Sequence, residues 1–452
     1  MDSTINLRTK NSSTARSNAR KGKMIHKTTL STRILIAIAV IAVSGIAWAG
    51  EGTEESSSKS SLFSKVDIHG YVSQGYLYST DNNYVFTETS DGSFQFNEAA
   101  INVYTDITDK LSVAIQLFAR DLGAVGNNAI VLDYAFGDYH FSDAFGIRAG
   151  RVRTPWGLYG ETRDVDMART SIFMPQCIYA ETQREVAYST NGFGIYGILP
   201  VGFLGDVEYI AQIGSNTVDD QNTPIGWIGF GNEWTEPNWR SNLGTNVNGR
   251  LIWNTPLEGL RVGTSIYQLL TETVLSSKTT NADVLVNVWG IPAGTPYTLT
   301  LRDTQWWISF AEFSAGNLLV AAEYVRFENS STDSIWEEAF GISDSKNQGD
   351  GYYLSATYRF TDLFELGTYY SRYWPNRNDR KGENNAAYGW PDHRAWSDDL
   401  ALSLRFDVHK GFIWKLEGHY MDGTANLTAN FNDIPNSEKN AFLLATKVSF
   451  TF

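Results

Sequence analysis

Segment 150–185 reads GRVRTPWGLYGETRDVDMARTSIFMPQCIYAETQRE. It carries five arginines (Arg151, Arg153, Arg163, Arg169 and Arg184), four acids (Glu161, Asp164, Asp166 and Glu181) besides the closing Glu185, and no lysine. A guanidinium holds anionic oxygens in a planar, bidentate grip. The chemistry open to such a segment is electrostatic: it attracts or repels charged solutes, or it pairs internally. Arg163 with Asp164 and Arg169 with Asp166 are spaced to pair and hold the segment folded. Pro155 and Pro175 bracket the run and limit its backbone freedom. A stretch this long, aromatic and balanced in charge, is more than a turn.

Groups suited to covalent or metal chemistry are sparse. Past residue 65 the histidines are His69, His140, His393, His409 and His419, and none sits in a Ser/His/Asp pattern. His419 and Glu417 share one face of a strand, which wall lining explains without a metal. Cys177 is the single cysteine, so an internal disulfide and a cysteine-based metal cluster are excluded. No enzymatic activity, cofactor or metal is expected.

The elements that must position these charges are strands. The chain has 452 residues and is 13% aromatic, yet its mean hydropathy is −0.26. A helical membrane protein would need apolar spans of roughly 20 residues. A β-barrel reconciles the two values, because only every second strand residue meets lipid and aromatic girdles mark both interfaces. The net charge is −14; the first 50 residues hold 8 Lys/Arg and one Asp, leaving 28 basic against 49 acidic residues. Such an acidic balance argues against a nucleic-acid partner.

The N-terminus reads as an address. Residues 1–49 comprise a basic, polar extension, a second Met at 24, an apolar run over 34–47 and a small-x-small site at Ala47-Trp48-Ala49. That order is a secretory signal peptide, and fourteen apolar residues fall short of a bilayer span. Residues 50–65 form a Ser/Glu-rich tether, expected to be mobile. Residues 66–452 form the barrel domain.

Beyond residue 65 no 3.6-residue apolar period persists for three turns. Alternating runs are joined by tight turns at 108–110, 142–145, 200–205, 256–259, 315–317, 361–364 and 409–411, rich in Gly, Pro, Asp and Asn. Longer polar loops lie near 80–93, 121–128, 154–183, 215–243, 272–298, 328–350, 374–396 and 422–438. Seven turns and eight loops join sixteen strands, an even number with both ends on the short-turn side. The last run, 440–452, alternates Phe442, Leu444, Thr446, Val448, Phe450 and Phe452 on one face, as in a closing barrel strand. The predicted fold is all-β: a sixteen-stranded transmembrane antiparallel barrel, closed because hydrocarbon offers no partner to an open sheet edge.

Strand parity separates lipid from lumen. Leu111, Val113, Ile115 and Leu117 fall outside, as do Leu400, Leu402 and Leu404. Glu98, Asn102, Arg120, Asp133, Glu208, Arg250, Glu323 and Arg359 fall inside, with Arg405, Asp407, Lys415, Glu417 and His419. Placing Arg or Lys against lipid at the midplane costs roughly 2–4 kcal/mol, which fixes the assignment. The expected lumen is polar and of mixed sign.

The run Gly150-Arg151…Pro155…Gly157-Leu158-Tyr159…Thr162-Arg163-Asp164-Val165…Arg169…Ser171-Ile172…Pro175-Gln176…Tyr179 resembles the constriction loop of trimeric sixteen-stranded bacterial porins. It is most similar to the group that includes phosphate-selective and dicarboxylate-channel porins. The motif covers about 30 residues; strand number and the terminal Phe extend a weaker likeness over 66–452. The resemblance implies an outer-membrane homotrimer of a Gram-negative cell, passing small hydrophilic solutes passively. It implies a third loop folded inward, with Arg151, Arg153, Arg163, Asp164, Asp166 and Arg169 at the constriction. Phosphate-selective members cluster basic residues there, whereas this segment lacks Lys and interleaves acids. A ring of Arg favours anions, so an anion preference is expected. The alternative is a barrel sheathing a periplasmic partner such as an electron-transfer cytochrome. No CxxCH occurs in this chain, so any haem would belong to that partner.

Overall fold

The period-two runs form one continuous antiparallel sheet. The structure, a computed structural model, describes residues 66–216, 240–242, 244–278, 292, 294–334, 345–387, 389–427, 432–433 and 436–452. The expected leader (1–49) and tether (50–65) lie outside the described residues. In chain order the strands begin β1 (Val66–Ser79), β2 (Asn97–Asp106), β3 (Leu111–Asp121), β4 (Val131–Ser142), β5 (Phe145–Arg153) and β6 (Ser189–Pro200). They continue β7 (Asp206–Asn216), β8 (Arg240–Asn242), β9 (Thr245–Asn254), β10 (Leu260–Leu269), β11 (Thr273–Lys278) and β12 (Pro296–Ala315). They end β13 (Leu318–Asp333), β14 (Ser345–Arg359), β15 (Phe364–Trp374), β16 (Ser397–His409), β17 (Phe412–Asp422) and β18 (Asn440–Thr451).

β8 and β11 pair with each other beyond the outer ends of β9 and β10, so they prolong those two strands rather than add to the wall. The wall therefore has sixteen strands. It closes where β1 meets β18, in register from Tyr71↔Thr451 to Ser79↔Leu443. Closure leaves no edge whose backbone groups would go unpaired in hydrocarbon. In the tight turn 409–411, Gly411 supplies the left-handed backbone (φ 80) that a side chain resists.

Alternation holds along the strands. On β16, Ser397, Asp399, Ala401, Ser403 and Arg405 are buried, while Leu402 is 54% exposed. On β18, Ala441, Leu443, Ala445, Lys447 and Ser449 are buried, and Phe442 and Leu444 are exposed. The outer face thus carries the apolar residues, as lipid requires.

Among the described residues, three expected loops contain more than one strand residue each, the first being 215–243, which holds β8. Segment 272–298 contains β11 and the start of β12, and segment 328–350 contains the ends of β13 and β14, paired as far as Ser331↔Ser345. These stretches are rich in Ser, Thr and Asn, which read as loop. Beyond the bilayer a ladder has water on both faces, so it keeps pairing without an apolar parity.

The inner face also departs from a uniformly polar lumen. Ile252, Ile308, Phe310, Val325 and Tyr353, on β9, β12, β13 and β14, are buried in one apolar cluster with Trp156, Leu158, Ile178, Tyr179 and Tyr188. Those inward positions face protein rather than water, so burial rewards apolar side chains there.

Candidate functional site

Loop 154–188 joins β5 to β6. It has no long element of its own, only single turns at Asp166–Ala168, Glu181–Gln183 and Arg184–Ala187. Its shape is set by what it touches.

The first anchor is apolar. Trp156 packs against Trp306 (5.1 Å between ring centroids) and Tyr188 (5.6 Å), and its Nε1 donates to the Ile178 carbonyl at 2.9 Å. Beside it the Glu323 carboxylate of β13 accepts hydrogen bonds from Tyr179 Oη (2.5 Å), Tyr353 Oη (2.6 Å) and the Leu158 N–H (3.1 Å). Gly157 takes a left-handed conformation (φ 57), and a Cβ there would collide with that carboxylate. Arg250 of β9 donates to the Gly157 carbonyl (3.2 Å) and pairs with Glu161 (2.5 Å).

The second anchor is a charge cluster on the β3–β5 side. Arg153 bridges Asp133 (2.7 Å) and Asp164 (3.2 Å), and Arg184 joins the same two acids at 3.3 and 2.8 Å. Glu181 takes Arg163 at 2.7 Å and Arg120 at 2.6 Å. The Arg184 guanidinium lies 3.7 Å from the Phe118 ring centroid, and Arg163 lies 4.3 Å from that of Tyr188. Burial pushes the Asp164 carboxyl up, but Arg184, Arg153 and Arg163 outweigh it and hold it well below the ordinary carboxylate range. Burial likewise raises Glu181, and Arg163 and Arg120 bring it below its usual value.

The third anchor ties the middle of the loop to β16–β18. Asp166 pairs with Arg169 (3.0 Å), Lys447 (3.1 Å) and Lys415 (3.5 Å), and accepts from Ser449 Oγ at 2.6 Å. Burial raises this carboxyl, and Lys415, Lys447 and Arg169 reverse the shift and hold it well below the usual range. Lys447 also meets Glu98 at 2.5 Å. Arg405 donates to the carbonyls of Met167 (2.8 Å) and Arg169 (3.1 Å) and pairs with Asp407 (2.8 Å). Arg359 pairs with Asp407 and Glu365, both at 2.8 Å. Glu417 accepts the N–H groups of Ile172 and Phe173, and His419 sits between Glu417 (3.0 Å) and Asp399 (2.9 Å).

The six residues expected at a constriction therefore fall into separate places. Arg153, Arg163 and Asp164 share the β3–β5 cluster, whereas Asp166 and Arg169 join the one on β16–β18. Arg151 meets the backbone carbonyl of Asp133 at 3.0 Å. The expected lining residues Glu98, Arg120, Asp133, Arg250, Arg359, Arg405, Asp407, Lys415 and Glu417 all engage the loop or an ion pair next to it. Sequence reasoning missed the anchoring roles of Glu323, Lys447, Trp156 and Arg184. Glu323 was legible as inward-facing, and Lys447 lies on the inward parity of the last strand. The expected loop near 80–93 was read without its contact to loop 154–188, in which the adjoining Phe96 stacks on Phe173 at 5.2 Å.

Spaces remain beside the loop and the wall among the described residues. One of about 540 Å³, at the tight-turn end, borders Tyr134, Asp138, Arg148 and Tyr196. Another, about 120 Å³, lies between the loop and β13–β16. Fixed, compensated charges and hydroxyls beside such spaces suit the sorting of solutes by size and hydrogen bonding.

No family model matches the chain, and no curated protein matches it in sequence. Solved structures match it in fold. OmpF of Salmonella typhi, in complex with daunomycin, is 12% identical, with 86% of this chain and 97% of that one covered and a TM-score of 0.51. An anion-selective porin from Comamonas acidovorans is 11% identical, covering 86% and 99%, with a TM-score of 0.49. The outer-membrane channel DcaP of Acinetobacter baumannii is 8% identical, covering 86% and 97%, also with a TM-score of 0.49. The likeness to porins holds at the level of the fold. A closed sixteen-stranded barrel with an apolar exterior belongs in the outer membrane of a Gram-negative cell.

Proposed function

We propose that this chain is a porin through which small hydrophilic solutes diffuse passively, with loop 154–188 folded inward as its constriction. One observation carries the reading: the loop is strapped to inward-facing side chains around the wall, from Arg250 and Glu323 to Arg405, Lys415 and Glu417. A segment so held narrows the lumen permanently.

Charge selectivity is weak in this reading. Of the arginines that suggest an anion preference, Arg120, Arg153, Arg163, Arg250, Arg359 and Arg405 each face a carboxylate within 3.2 Å, and Arg151 meets the Asp133 backbone carbonyl at 3.0 Å. Compensated pairs leave little net field for a passing ion, and the anion bias they support is small.

The sheathing alternative needs an open lumen to receive a partner, and the anchored loop takes up that room. The working form is an exported homotrimer beginning at Gly50. Mass spectrometry of the membrane-extracted protein reads both its first residue and its assembly. Liposome swelling tests the transport reading: rates should fall steeply as neutral solutes grow. Vesicles that swell no faster than protein-free ones would end it.

A further inference from the structure

The space of about 120 Å³ between the loop and β13–β16 is lined by hydroxyls and aromatic rings, and among the described residues Arg169 and Glu365 are its charged side chains. Neither charge is spare. Arg169 is held by Asp166 at 3.0 Å and by the carbonyls of Ser171 (3.2 Å) and Ile172 (3.1 Å). Glu365 is held by Arg359 at 2.8 Å and by the Thr170 hydroxyl.

Most of the hydroxyl protons are committed to the framework, and the hydroxyls of Ser171 and Thr357 also line the space. Thr368 donates to the Ala401 carbonyl (2.8 Å), Ser355 to that of Ala321 (3.3 Å), and Ser403 to Glu417 (2.6 Å). Tyr159, Tyr353 and Tyr369 donate to Glu312 (2.5 Å), Glu323 (2.6 Å) and Asp399 (2.8 Å). A hydroxyl that has given its proton keeps acceptor lone pairs. The lining is therefore rich in acceptors yet carries no unspent charge, and Met174 and Pro175 add apolar surface.

An anion finds no unspent cation on such a wall, and a cation finds no free carboxylate. A solute with several hydroxyls donates into the lone pairs and lays its C–H faces on the rings and Met174. We propose that this space is a binding site for an uncharged polyhydroxylated solute of monosaccharide or polyol type. The proposal rests on the porin reading for how the solute arrives, but binding itself is measured independently of transport.

The test is equilibrium dialysis of glucose and of inorganic phosphate against the full chain purified in detergent. The comparison is wild type, Ser355→Ala/Thr357→Val, and Thr357→Ser, which restores a hydroxyl. Wild type and Thr357→Ser should retain glucose saturably, the double variant should bind it at least about tenfold more weakly, and phosphate should not compete. Absence of glucose retention, displacement by phosphate, or unchanged affinity in a folded double variant would each overturn the proposal. If the double variant does not fold, the wild-type contrast between glucose and phosphate decides. Bilayer current on the same preparation separates the two readings: glucose retention without current sinks the porin, and current without glucose retention sinks the site.

Discussion

Glu417 on β17 accepts the backbone N–H of Phe173 at 2.8 Å, while its other oxygen takes the N–H of Ile172 at 2.7 Å. One wall carboxylate thus fixes two successive peptide groups of a loop 244 residues away in sequence. Replacing Glu417 by Ala orphans both donors, at a cost of about 1–3 kcal/mol each. The barrel ladders do not depend on this contact, so the variant should remain a folded, heat-modifiable barrel. Single-channel recordings should show larger, noisier current steps than wild type. Steps of unchanged size and noise would show that this contact does not hold the loop.

Asp164 is the shared partner of Arg153 and Arg184, with Arg163 at 3.7 Å. Asp164→Asn leaves three guanidiniums short of one negative charge. Reversal potentials in a salt gradient should move toward anions, with the permeability ratio rising by up to about tenfold, equivalent to about 1.4 kcal/mol. A shift toward cations, or none, would contradict the charge-compensation account.

Both Asp164 and Asp166 sit well below the ordinary carboxylate range in the folded protein. A carboxyl depressed on folding contributes stability that is complete above its unfolded value, about 3.9 for Asp, and is lost as pH falls through the folded value. The contributions of Asp164 and Asp166 to conductance and thermal stability should therefore stay constant between pH 7 and pH 5. Release of the loop through these two acids should begin only below about pH 4. A conductance transition centred between pH 5 and pH 6 would assign the switch to other groups.

Trp156 and Gly157 hold the opposite end of the loop. Trp156→Ala empties a packed aromatic site, typically costing about 3–5 kcal/mol. Gly157→Ala meets both a left-handed backbone and the Glu323 carboxylate. Each should make loop 154–188 susceptible to protease while the strands stay protected. Loop cleavage at the wild-type rate in both variants would remove the apolar anchor from the account.

Much of this was legible from parity. Alternation along 400–407 placed Leu402 outside and Arg405 inside, and both stand there. It could not reveal the apolar lumen wall, because β12 reads Trp306-Trp307-Ile308-Ser309-Phe310, greasy on both parities. That is the pattern of a strand buried on both faces, and period alone does not say whether lipid or protein covers each one. The anchors escaped for a related reason. Whether Arg163 meets Asp164 or Glu181 depends on how the loop turns, and local spacing favoured the nearer acid. The structure places Arg163 at 2.7 Å from Glu181 and 3.7 Å from Asp164.

The most direct measurement is single-channel current from the purified, leader-free chain in planar bilayers, with no other protein present. A constricted, charge-compensated porin should give discrete, stable steps with a reversal potential close to zero in a salt gradient. A membrane that stays silent until a periplasmic partner is supplied or removed would contradict it.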